Sequence, residues 1–196
     1  MGYGLSVFRV PREVLEQVCG KNDMKLLDDA PESLWAYLAD YDEQADAPSD
    51  NYDVDITHAE ALREIVAGRF TEGVTGSRYG WAFECLCRAL GERLDNTGFI
   101  PCTTEWYFTL DDVMAENQVP LKFTDLIFRI PVPIPEADDW PAVGHWADQD
   151  YAAADRLAAV LPGIGDAEIA LALQSALGWL RSGADHPGSL IVGFHG

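Results

Sequence analysis

His145 stands close in sequence to Asp138, Asp139, Trp140 and Trp146. A histidine beside carboxylates can act as a general base, because a carboxylate orients the ring and steadies the imidazolium that forms. Glu84 and Arg88 are four residues apart in a strongly helical stretch, in the order that favours an ion pair. Arg78, Trp81, Glu84, Cys85 and Arg88 can share one side of that helix, and such a side offers an aromatic wall with a few charges, the usual make-up of a small-molecule pocket. The candidate catalytic groups are therefore His145, Asp139 and Glu84. The candidate ligand-binding groups are Arg78, Trp81, Arg88 and Trp140. The plainer readings stand beside these: a loop histidine with one hydrogen bond, and a surface salt bridge next to a packed tryptophan.

Other chemistry finds less support. Asp53, Asp55, Thr57 and Glu64 match positions one, three, five and twelve of an EF-hand loop, but His58 occupies the sixth position, where the sharp turn wants glycine. Thr57-His58-Ala59-Glu60 also has the form of a capping box, which would start a helix inside that loop. His58, His186 and His195 have no histidine or cysteine at ligand spacing, so no metal is expected. Cys85 and Cys87 are two apart on a helix and point in different directions; with Cys19 and Cys102 they read as reduced, mostly buried thiols. Gly163-Ile164-Gly165 lacks a third glycine and follows a helix rather than a strand. Nucleotide loops, nucleophile elbows and zinc-protease helices are absent, and no cofactor is expected.

Charge narrows the partners. The 196 residues carry 33 acids against 13 bases, a formal net charge of −20. Nucleic acid and anionic membrane both attract Lys and Arg, so neither is an expected partner. Eleven acids lie between Lys25 and Arg63, and six between Arg129 and Arg156, with no base in either stretch. Such blocks steer a basic protein toward the surface, or serve only as a solvated face.

These groups need elements to hold them. Tyr3–Val10 alternates as a strand, and Pro11 opens a helix that Gly20 stops. Further helices are expected over 28–41, from Thr57 to Gly68, over 78–96 with Ser77 as cap (the longest), and over 109–118. Two more are expected, over 149–161 behind Asp148 and from Asp166 to Ser182. Short strands are expected at Phe99–Thr103, Leu126–Ile130 and Ser189–His195. Asp42–Asp55, with Pro48 and Tyr52, and Glu136–Trp146 read as loops. The expected class is α+β: a small mixed β-sheet that includes the N-terminal and C-terminal strands side by side, surrounded by six or seven helices in one domain, 1–196. No basic leader or membrane span is read, which points to a cytoplasmic protein. Gly2 and Ser6 match a myristoylation pattern, against which the same residues read as a buried strand.

The opener Met-Gly-Tyr-Gly-Leu-Ser-Val-Phe-Arg-Val and the ending Leu177-Gly-Trp-Leu before Ser189-Leu-Ile-Val-Gly-Phe resemble uncharacterised bacterial domains of the YfbM-like kind. Ala61-Leu-Arg-Glu-Ile-Val-Ala-Gly, Tyr79-Gly-Trp-Ala-Phe-Glu-Cys-Leu-Cys-Arg and Ile134-Pro-Glu-Ala-Asp-Asp-Trp-Pro look like a family from bacteria with G+C-rich genomes, which three Lys against ten Arg suits. The resemblance implies a small α+β domain without assigned reaction or binding residues. Some families of this kind look like immunity or partner-binding proteins. The first functional expectation is thus an acidic, soluble interaction module that binds a basic protein partner. The second is a small-molecule-binding protein or enzyme, its pocket beside helix 78–96 and the Trp-rich loop 136–146.

Overall fold

The computed structural model describes residues 4–44 and 55–196. Gly2 of the myristoylation pattern, Asp53 of the calcium pattern, and Pro48 and Tyr52 of the acidic loop lie outside the described residues. The chain starts with β1 (Leu5–Pro11), α1 (Arg12–Val18) and α2 (Lys25–Asp28). Three helices follow, α3 (Glu32–Gln44), α4 (His58–Ala67) and α5 (Gly76–Leu90), and then the short β2 (Glu92–Arg93). A 3-10 turn (Thr97–Phe99) leads to α6 (Thr104–Glu116), α7 (Asp125–Phe128) and β3 (Ala142–Trp146). The chain closes with α8 (Asp148–Tyr151), α9 (Ala154–Val160), α10 (Ala167–Ala184) and β4 (Ser189–His195). The class is α+β. Among the described residues seven helices have seven residues or more, with single-turn α2, α7 and α8 between them.

The strand order is β2-β1-β4-β3. The terminal strands lie side by side, from Leu5 opposite His195 to Pro11 opposite Ser189. The sheet expected to be mixed is antiparallel at every ladder, because β1, β2 and β3 all run against their neighbours. The two-residue period of a strand sorts side chains to two faces. Phe8, Val10, Leu190, Val192 and Phe194 pack against Leu15, Leu34, Leu62, Ile65 and Phe83 of α1 and α3–α5. Leu5, Val7, Trp146 and Ile191 pack against Tyr107, Leu110, Leu173, Trp179 and Leu180 of α6 and α10. Covered on both sides, β4 is buried along its whole length and reads as a nearly continuous apolar run.

Several elements differ from expectation. The helix expected over 78–96 begins at Gly76, with the Thr75 hydroxyl rather than Ser77 as cap, and ends at Leu90. A Cβ on Gly91 would meet the Arg9 carbonyl oxygen at 2.6 Å, so the chain leaves the helix there and pairs with β1 as β2. Among the described residues the longest helix is α10. Phe99–Thr103 is not a strand: Phe99 ends a 3-10 turn whose middle residue, Gly98, is pressed against Ala172 of α10. Leu126–Ile130 is not a strand either. Thr124 donates to Asp111 at 2.6 Å, and the Phe123 amide donates to the same carboxylate, fixing the single turn α7. The loop expected over 136–146 holds β3 in its second half. The helix expected over 149–161 breaks into α8 and α9; the Ala147 amide donates to Asp150 at 2.8 Å, while Asp148 accepts instead from the Gly188 amide. The helix expected to start at Thr109 starts at Thr104.

Two expected caps are present. Thr57 and Glu60 form a reciprocal capping box, and α4 ends at Gly68 with φ of 66°. Asp166 accepts from the Glu168 and Ile169 amides at 2.9 and 3.0 Å. Asp166→Ala removes the acceptor for both and is expected to cost about 1 kcal/mol, read from the urea midpoint. Unchanged stability would mean that the start of α10 contributes nothing to folding. All four cysteines are free and buried. No helix among the described residues is long and apolar enough to cross a membrane.

Candidate functional site

A cleft of about 290 Å3 lies between the start of α5 and the loop that precedes β3. Two glycines one turn apart on α5 admit that loop. A Cβ on Gly76 would overlap the Glu136 carbonyl oxygen, and one on Gly80 would meet the Pro141 ring at 2.9 Å. The apolar lining comes from Phe128, Ile130, Ile134, Trp140 and Pro141. Glu136, Asp138 and Asp139 also line the cleft and are exposed to water, and among the described residues no Lys or Arg lines it. The nearest base in the chain, Arg129, is held by Asp150 at 3.0 Å and Asp125 at 3.6 Å.

Of the residues singled out from the sequence, Asp139 and Trp140 line this cleft beside α5. Arg78, Trp81, Glu84 and Arg88 are not among its lining residues. They face α3 and α4. Arg78 bonds Asp55 at 2.9 Å and lies 3.8 Å from Asp42. Trp81 stacks on Tyr41, ring centres 5.0 Å apart. Glu84 is 2% exposed and accepts from the Tyr41 hydroxyl at 3.1 Å and from Arg88 at 3.2 Å. Burial raises its carboxyl pKa, and the Arg88 guanidinium opposes that. Arg88 also lies over the Tyr37 ring, 4.8 Å from its centre. The expected i,i+4 pair is thus present, buried on its acidic side rather than on the surface.

His145 does not join the carboxylates near it in sequence. On β3, its Nδ1 donates to the Arg129 carbonyl at 2.5 Å, and burial lowers its pKa. Trp146, its expected loop companion, is fully buried and donates its indole N–H to the Lys122 carbonyl at 2.7 Å. His58, which the sequence presents only as a residue in a first helical turn, does meet a carboxylate. Its Nδ1 is 2.6 Å from Asp42, and Arg78 approaches to 3.4 Å. Sixteen residues separate His58 from Asp42, and no spacing rule links them. Their encounter depends on how α3 packs on α4.

The calcium pattern dissolves for a similar reason. Asp55 holds Arg78, Thr57 caps α4, and Glu64 accepts from Tyr79 at 2.5 Å and from the Thr71 amide at 2.9 Å. Among the described residues no group of three or more His, Cys, Asp or Glu could hold a metal ion.

Of the larger hollows, one of about 330 Å3 lies at Arg63, Glu64 and Arg69, and two of about 460 and 490 Å3 flank α10 at Leu171. Of the two beside α10, one is lined by Asp95, whose carboxylate accepts from Thr97 at 2.7 Å. The other is lined by Cys102, whose sulfur is 3.5 Å from the Tyr107 hydroxyl and 3.8 Å from His195 Nδ1. Burial raises the Cys102 pKa and lowers that of His195. That favours a neutral thiol beside a neutral imidazole, whereas a nucleophilic cysteine needs thiolate. Neither hollow beside α10 concentrates charge as the cleft does.

No curated protein and no solved structure matches the chain. A family model described as a domain of unknown function, DUF7691, matches residues 1–196, and the chain belongs to that family.

Proposed function

We propose that this protein is an interaction module that binds a basic protein partner, in an immunity-like or regulatory role, through the acidic cleft beside α5. The observation that carries this reading is the composition of the cleft: three exposed carboxylates beside an apolar lining and, among the described residues, no base. A cationic side chain entering there is drawn in by the carboxylates while its aliphatic stem packs against the apolar lining. Of the ionisable groups suited to proton transfer, Asp139 lines the cleft, but the histidines and Glu84 stand elsewhere. Glu84, His58 and His145 each hold partners inside the protein, and none of them lines the cleft. That geometry favours binding over turnover. Of the second base-free block, Asp148 and Asp150 face Arg12 and Arg129, while Glu136, Asp138 and Asp139 line the cleft. A cytoplasmic bacterial setting and kinship with YfbM-like domains belong to the same proposal.

The test is a pull-down from native extract at low salt with the wild type and with a Glu136→Gln/Asp138→Asn/Asp139→Asn variant, followed by affinity measurement with the purified partner. The expected partner is basic, its affinity falls as salt rises toward 1 M, and the variant binds at least tenfold more weakly. At 1 M salt the screening length is about 3 Å, so charge steering is removed. Salt-independent binding, or equal binding by the variant, overturns the proposal.

A further inference from the structure

We propose that Phe108 and Phe128 extend the acidic cleft into a docking surface for an arginine-bearing amphipathic segment of the partner; this rests on the partner-binding reading above. The guanidinium enters the cleft, and an apolar neighbour in the segment covers the two rings.

Phe108 is 51% exposed and Phe128 55% exposed, and their ring centres lie 6.4 Å apart. A phenylalanine carries roughly 200 Å2 of surface, so the pair leaves about 200 Å2 of aromatic surface in water. Exposed apolar residues scattered singly need no explanation; here two exposed rings adjoin each other beside a charged cleft. The patch and the cleft are continuous. Phe128 lines the cleft, and so does Thr104, which stands one turn before Phe108 on α6. The surface therefore runs from an aromatic pair to three carboxylates.

Charge selects the occupant. An anionic lipid surface or a nucleic acid would meet Glu136, Asp138 and Asp139 with like charge, and a second copy of this chain carries the same net −20. A cationic segment with apolar side chains complements both halves. The 290 Å3 cleft is at the small end for ligand pockets and suits one side chain. Arginine fits better than lysine, because its planar guanidinium pairs with carboxylates in a fork and stacks on aromatic rings.

The experiment uses the full chain and three labelled, blocked heptapeptides in which leucine alternates with arginine, lysine or glutamate. Binding is read by fluorescence anisotropy. The arginine peptide should bind at least threefold more tightly than the lysine peptide, and the glutamate peptide should not bind. Phe108→Ser/Phe128→Ser, at two exposed positions, should weaken the arginine peptide about tenfold and leave its salt dependence intact. The rim variant Glu136→Gln/Asp138→Asn/Asp139→Asn should weaken it and flatten the salt dependence. Circular dichroism of each variant should match the wild type. If the phenylalanine variant binds like the wild type, or the arginine peptide does not bind at all, the docking surface is wrong. In that case the pull-down with the rim variant still decides the acidic-cleft reading independently. If the rim variant also holds the natural partner as the wild type does, both fall.

Discussion

Gly144→Ala is expected to destabilise the protein by about 3 kcal/mol or more, at the upper end of overpacking effects. Gly144 stands directly opposite Gly193 in the β3–β4 ladder, and α7 sits across the pair. A Cβ on Gly144 would overlap the Asp125 carbonyl oxygen and lie 2.5 Å from the Leu126 carbonyl carbon and 2.6 Å from the Ile127 nitrogen. These are main-chain atoms, so no rotamer change relieves the contact. Either α7 lifts or the β3–β4 ladder opens. For a chain of this size the loss corresponds to a fall in Tm of roughly 6–12 °C. Gly178→Ala is the matched control. That glycine is exposed in the middle of α10, with nothing within 4 Å of an added Cβ. Alanine there is expected to stabilise by about 0.5–1 kcal/mol, because glycine loses more backbone freedom on folding. A Gly144→Ala protein as stable as the wild type would mean that α7 does not seat on the sheet. Because α7 also carries Phe128, lifting it should disturb the cleft wall and weaken partner binding in the same variant.

The same glycine pair shows what the sequence could disclose. The two terminal strands were legible because each has a dense apolar run at a chain end, and their pairing followed from the closeness of chain ends. Capped helices were legible from local chemistry: Thr57 with Glu60, Gly68 and Asp166 act within four residues of themselves. α7 and β3 were not. Leu126-Ile127-Phe128 is too short an apolar run to separate strand from buried helix by period. What decides it is Asp111, twelve and thirteen residues before the Phe123 and Thr124 groups it binds, which fixes the turn. β3 hides in Ala-Val-Gly-His-Trp, where glycine lowers strand propensity but allows α7 to approach. The site divides in the same way. Of the residues expected around a pocket beside helix 78–96 and the Trp-rich loop, Asp139 and Trp140 line the cleft, whereas Arg78, Trp81, Glu84 and Arg88 do not. The glycines that make room for the loop, Gly76 and Gly80, gave no signal, since their role is set by how closely another backbone approaches. Nor could helical spacing tell which side of α5 faces α3. Arg78, Trp81, Glu84 and Arg88 share that side and engage Asp55, Tyr41 and Tyr37 there.

Acidification from pH 7 toward 5.5 is expected to destabilise the protein through two buried histidines, His58 and His195, and the half-buried His145. Burial holds the pKa of His58, His145 and His195 below the ordinary 6.5, in each case outweighing an opposing hydrogen bond to Asp42, the Arg129 carbonyl or the Gly4 carbonyl. For a group whose folded pKa is depressed, the unfolded chain binds more protons between the folded value and 6.5. Stability is therefore fully present above 6.5 and falls as pH drops through that window. Each histidine contributes at most about 1.4 kcal/mol per pH unit, so three together give a slope of up to about 4 kcal/mol per unit. Two effects act against this fall. Glu84 has a raised pKa, so its contribution grows as pH falls through its folded value. Protonation of surface carboxylates also relieves the self-repulsion of a −20 chain. Working in 1 M salt screens the second effect, and Glu84→Gln removes the first, so the decline should be steepest in that variant at high salt. Urea unfolding at pH 7.5, 6.5 and 5.5 reads the slope directly. His58→Gln should lower the slope by about a third of its full value, whatever it does to absolute stability. Stability that stays flat or rises between pH 7 and 5.5 in 1 M salt would show that these imidazoles are not held neutral by burial. His58, beside Arg78 and Asp42, would then be the first whose packing between α3 and α4 had to be reconsidered.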